Sequence, residues 1–115
     1  MTVVMYNLEL DLQNIIYNRL HVSPSDIEAY CQRWHIVEFA LFGSVLRDDF
    51  HPDSDVDVLV TFAPDYRLSL SALLDMKEEL ETAFGRSVDL VEKPLIKNPY
   101  RRAEILKTKR VVYAS

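Results

Sequence analysis

Five aspartates fall within the ten residues from Asp48 to Asp57, and an apolar run, Val58-Leu59-Val60, follows at once. Asp55 and Asp57 are two apart at the start of what reads as a strand. Strand side chains alternate, so both carboxylates face the same way, with Cα atoms about 6.5–7 Å apart. That spacing lets them converge on a pair of divalent ions, which typically sit about 3.5–4 Å from each other. Val56, Val58, Val60 and Phe62 then take the opposite face, toward a core. Asp89 is a lone acid in the apolar stretch Ser87-Val88-Asp89-Leu90-Val91. If its strand lies beside the first, it supplies a third carboxylate. Three hard oxygen ligands suit Mg²⁺ bound partly through substrate phosphates.

Gly43-Ser44 offers the complementary half of such a site. Gly43 is one of two glycines in the chain. At a strand-to-helix turn, glycine lets the backbone approach a ligand closely. The free N–H groups of the following turn favour an anion, and the Ser44 hydroxyl can donate to a phosphate oxygen. Arg47, three residues on, is expected to share a helical face with Ser44 and to add positive charge.

Other readings of the acids fail. Asp53-x-Asp55-x-Asp57 opens like an EF-hand loop, but Val58 and Pro64 stand where glycine and an acid are required. No Gly-x4-Gly-Lys-Ser/Thr segment exists for a P-loop. His21, His35 and His51 are scattered, and Cys31 is the single cysteine, so no zinc ligand set forms. His51 reads as a solvated loop residue. Cys31 reads as packed core, because Ile27, Tyr30, Cys31 and Trp34 fall at helical spacing on one apolar face.

The elements that must position these groups are legible in outline. Residues 5–20 read as a weakly patterned helix with Leu8, Leu12, Ile15 and Ile16 on one side. Ser23, Pro24 and Asp26 form an N-cap, a first-turn proline and a capping-box partner for the next helix. Residues 36–42 and 56–62 read as strands. Residues 44–48 between them are expected to make one helical turn. A helix over about 69–84 ends at Gly85, where a left-handed residue is wanted. Residues 87–92 make a third strand, Asn98-Pro99 caps a last helix, and Val111-Val112-Tyr113 reads as a short strand. The pattern is an α/β (α+β) two-layer domain: a small mixed sheet with helices packed on one face.

With 115 residues, the chain is expected to be a single domain, with an N-terminal helical extension over 1–22 and a core over 23–115. No apolar run is long enough to span a membrane. The first residues carry acids and no basic stretch, so no signal peptide is expected, and the lone cysteine fits a reducing cytoplasm. A net charge of -5 argues against direct nucleic-acid binding. The charge is uneven: from Lys93 onward there are seven basic residues and one acid, Glu104. The basic tail reads as a solvated helix face or as a patch for an anionic ligand or acidic partner.

Gly43-Ser44, ten residues, then Asp55-x-Asp57 resembles the signature of the nucleotidyltransferase superfamily typified by DNA polymerase beta. More narrowly, the chain resembles a minimal nucleotidyltransferase over roughly residues 24–113. The resemblance implies transfer of AMP from ATP to an acceptor hydroxyl. It implies that Asp55 and Asp57 hold Mg²⁺, two ions in all, and that Asp89 holds the ion nearer the acceptor and helps to deprotonate it. Gly43 and Ser44 would cradle the β- and γ-phosphates, with Arg47 assisting. Minimal members often pair with a HEPN-type ribonuclease toxin, so the resemblance further implies an antitoxin that adenylylates a toxin tyrosine within a hetero-oligomer. Two alternatives stay open: neutralisation of the toxin by binding alone, and a small-molecule nucleotidyltransferase completed by a partner subunit.

Overall fold

Ser23 opens the second helix as its sequence dictates. In the computed structural model, which describes residues 9–115, its hydroxyl accepts from the Asp26 amide at 3.1 Å, and the Ser23 amide donates to Asp26 Oδ2 at 2.9 Å. Both halves of the capping box are thus made, with Pro24 as the first helical residue. Ser23→Ala is expected to destabilise the fold by about 1 kcal/mol. A urea titration would show this as a lower midpoint with an unchanged slope.

The elements run α1 (Leu10–Ile15), a π-helical turn (Ile16–Leu20), α2 (Pro24–Arg33), β1 (Ile36–Phe42) and a 3-10 turn (Gly43–Leu46). Then come β2 (Val56–Phe62), α3 (Leu70–Phe84), β3 (Val88–Glu92), a second 3-10 turn (Lys93–Leu95), α4 (Pro99–Thr108) and β4 (Arg110–Ala114). The sheet order is β3-β2-β1-β4. β2 and β3 are parallel, whereas β1 pairs antiparallel with β2 and with β4. The expected mixed sheet is present.

The first helix differs from its expectation. Residues 5–8, with Leu8, lie outside the described residues, and the rest is a short α-helix that widens into a π turn. Leu12, Ile16 and Leu20 are all buried at strict intervals of four. In an α-helix that interval drifts by about 40° at each step. A wider turn keeps the three side chains in line over the core. Arg110 of β4 ties this helix down through Asp11 at 2.8 Å and Glu9 at 3.1 Å. The guanidinium holds the Asp11 carboxyl below its ordinary range, although the pair is exposed.

The main core lies on one face of the sheet, where Phe39, Leu41, Val56, Val58, Val60, Val88 and Val112 meet α1, α2 and α3. Cys31 is fully buried there, as expected. A second, smaller cluster covers part of the other face: Ile96 and Ile105 pack on Ala40, Phe42 and Leu59. So α4 reaches around the sheet, and helices are not confined to one side. The run Val58-Leu59-Val60 has this physical basis, since an inner strand covered on both faces is apolar without alternation.

Candidate active site at the β2–β3 rim

Asp57 is the second residue of β2 and Asp89 the second residue of β3. The parallel register makes them direct partners. Parallel neighbours lie about 4.8 Å apart, so the two carboxylates stand side by side on one face. They share that face with Leu59 and Val91, opposite the main core. Asp55 sits one residue before β2, exposed at its mouth. The third acid expected from the sequence therefore does lie beside the first pair.

Gly43 explains how the turn meets the acids. Its φ is +74°, and a Cβ placed there would collide with Oδ2 of Asp57 and lie 3.1 Å from its Cγ. Two demands fix glycine here: a left-handed backbone and direct packing of a carboxylate against Cα. Ser44 follows as the second residue of the 3-10 turn.

Arg47 departs from its expected place. The turn ends at Leu46, and Arg47 is extended, with φ -113° and ψ 167°. It does not share a helical face with Ser44. Its amide closes the turn onto Ser44 O at 2.9 Å, and its Nε pairs with Asp49 Oδ1 at 3.1 Å. A 3-10 turn of four residues is too short to carry the expected i, i+3 pair. His51 is also engaged locally, accepting from the Asp53 amide through Nδ1 at 3.2 Å.

The electrostatics are those of crowded carboxylates. Burial, then Asp89, then Asp55 raise the Asp57 pKa above its ordinary value, and Arg101 and Arg47 offset part of this. Arg101 belongs to α4, where Asn98 caps the first turn through bonds to the Tyr100 and Arg101 amides. Its guanidinium lies 3.7 Å from Asp89 Oδ2, with both side chains about half exposed. Sequence reading placed Arg101 only in a basic tail. The Asn98-Pro99 cap was legible, but that it sets the first turn of α4, with Arg101, beside Asp89 depends on a long-range contact that no local pattern announces.

Among the described residues, no group of three or more His, Cys, Asp and Glu side chains is drawn together closely enough to hold a metal ion by itself. Asp57 and Asp89 side by side, with Asp55 at the mouth, still fit a hard divalent cation that arrives with phosphate oxygens. The open geometry suits that mode, because Asp55 and Asp89 are exposed. No helix among the described residues is long and apolar enough to cross a membrane.

Comparison with known proteins gives the family and the fold. A protein named provisionally as a protein adenylyltransferase, from Methanocaldococcus jannaschii, is 37% identical over 73 residues, 64% of this chain and 73% of the relative. The protein adenylyltransferase MntA of Thermococcus cleftensis is 39% identical over 67 residues, 58% of this chain and 66% of the relative. Among solved structures, a toxin-antitoxin crystallised with AMP-PNP shares the fold at a TM-score of 0.66 and 19% identity, covering 82% of this chain and 75% of that one. A tri-AMPylated Shewanella oneidensis HEPN toxin in complex with an MNT antitoxin matches at a TM-score of 0.58 and 18% identity, over 80% of this chain and 70% of that one. The profile of the nucleotidyltransferase domain matches residues 27–112, which hold the Gly43 turn and all three acids, and the chain belongs to that family.

Proposed function

We propose that this chain moves AMP from ATP to a hydroxyl, a tyrosine by preference, of a HEPN-type toxin, and so acts as the antitoxin of a toxin-antitoxin pair. The observation that carries this reading is the pairing of Asp57 with Asp89 beside the Gly43 turn. The names of the relatives and the contents of the two complexes support the donor and the partner class. In this reading Gly43 and Ser44 hold the β- and γ-phosphates, with Arg47 adding charge at the end of the turn. Asp55, Asp57 and Asp89 are the ligands for Mg²⁺, two ions by family likeness. When bound, Mg²⁺ neutralises phosphate charge and orients the reacting oxygens. Asp89, on the exposed side of the pair, takes the proton of the acceptor hydroxyl. The acceptor oxygen bonds to the α-phosphorus as the bond to the β-phosphate oxygen breaks, and pyrophosphate leaves. The exposed rim leaves the partner to bring its own acceptor, in a hetero-oligomer. ATP as donor and a lone buried thiol fit work in the cytoplasm, without nucleic acid or membrane as partner.

The test is the intact mass of a HEPN-type toxin after incubation with this chain, ATP and Mg²⁺. A gain of one or a few AMP units, absent with Asp57→Asn, is the expected result. A stable complex with no gain would replace this reading by neutralisation through binding alone.

A further inference from the structure

We propose that Arg19, in the N-terminal extension and outside the family-matched segment 27–112, is a positioning residue for the Gly43–Ser44 turn. Its Nη1 donates to Val45 O at 2.8 Å and to Arg47 O at 2.6 Å. Val45 belongs to the turn itself and Arg47 is the residue that closes it. A peptide unit is planar, so fixing the carbonyls of Val45 and Arg47 also fixes the directions of the Leu46 and Asp48 N–H groups. The outgoing half of the turn is therefore set from behind by one guanidinium, and the backbone that leads back to Gly43 and Ser44 is held with it.

The same loop is fastened at its other end. Nη1 of Arg86, just before β3, donates to His51 O at 2.9 Å and Pro52 O at 3.2 Å. It also lies 3.4 Å from Ser54 O. Between the two arginines is Phe50, with Arg86 Cζ 4.1 Å and Arg19 Cζ 5.4 Å from its ring centroid. Phe50 also packs against the main core. The ten residues between Ser44 and Asp55 are thus clamped at both ends onto one aromatic ring.

Arg19 itself is held firmly. Ile16 and Leu20, its neighbours in the π turn, are fully buried. His21 closes that turn in the left-handed region at φ 60°. A planar guanidinium bonds to carbonyls in its own plane while its face lies over a ring, a geometry that a compact ammonium reproduces less well.

The functional half of this inference rests on the reading of the Gly43 turn as the phosphate site, and its test separates the two. ATP affinity in the presence of Mg²⁺ would be measured by calorimetry for wild type, Arg19→Ala, Arg19→Lys and an Arg33→Ala control. Amide exchange would be followed in the same proteins. Arg19→Ala is expected to weaken ATP about tenfold and to speed exchange across residues 44–54 only. Added guanidinium should restore part of that affinity, Arg19→Lys should be intermediate, and Arg33→Ala should match wild type. Wild-type exchange over 44–54 in Arg19→Ala would overturn the brace; faster exchange with unchanged ATP affinity would overturn its role in binding. If wild type binds no ATP, the phosphate reading fails, the role in binding falls with it, and exchange alone decides the brace. Should Arg19→Ala not fold, Arg19→Lys decides by the same local exchange.

Discussion

Asp57→Asn is expected to lower AMP transfer by more than about a hundredfold and to raise the melting temperature of the metal-free protein by about 3 °C. The first effect follows from position. Groups that merely orient a metal ligand are worth about 10–100-fold, so the central carboxylate of the rim is worth more. The second follows from charge. Asp57 is half-buried, and burial, Asp89 and Asp55 raise its pKa on folding. A carboxyl raised in this way stabilises the fold fully only below its unfolded pKa, and that contribution is lost as pH rises through the folded value. At neutral pH the ionised group therefore works against the fold, and the neutral isostere relieves it. The gain is modest because the site is partly solvated and Arg101 and Arg47 already offset some repulsion. Thermal melts in chelator at several pH values check the sign. The gap between variant and wild type should close as pH falls toward the ordinary carboxylate value of 3.8. A variant that melts lower than wild type at neutral pH would refute the electrostatic account. Adding Mg²⁺ with an ATP analogue should then stabilise wild type and leave the variant unmoved.

Much of this site was legible because its signals are local. Ser23, Asn98 and Gly85 announce helix ends through caps and a left-handed φ, and each stands where those rules place it. The strands at 36–42 and 56–62 agree because turn residues bound them and their apolar content is dense. The period-two rule put Asp57 on the face away from Val56 and Val58. What was hidden depends on contacts with no local period. Asp89 beside Asp57 requires parallel pairing, which family likeness supplied and composition did not. Arg19 and Arg47 are 28 residues apart, and Arg86 and His51 are 35 apart. No helical or strand repeat reaches that far. One clue was present: Phe50 is the only apolar residue between Arg47 and Asp55. A lone aromatic in an acidic loop needs something to dock on, and here two arginines supply it. Arg47 was misplaced for a related reason, since residues 44–48 suit one helical turn but not the tighter, shorter one that forms.

Gly43→Ala should be the most damaging single methyl in the molecule, and Gly85→Ala is its control. Both glycines are left-handed, at φ +74° and +69°. Moving a non-glycine residue into that region costs roughly 1–2 kcal/mol in either place. Nothing lies within 4 Å of a Cβ at Gly85, so that variant is expected to show this cost alone and to keep its activity. At Gly43 the new methyl meets the Asp57 carboxylate. Overpacking adds about 1–3 kcal/mol. Relief requires Asp57 to swing out of register with Asp89, so AMP transfer should fall as far as it does in Asp57→Asn. The interaction can be isolated. Asp57→Ala removes Cγ and both oxygens and leaves Cβ at 3.5 Å, an ordinary contact. In that background Gly43→Ala should cost no more than Gly85→Ala, whereas distant, independent changes would add. Urea titrations of the four proteins in the Gly43/Asp57 cycle, with Gly85→Ala alongside, measure this directly. Simple additivity, or full activity in Gly43→Ala, would show that the carboxylate does not lean on the glycine and that the turn and the acids are set independently.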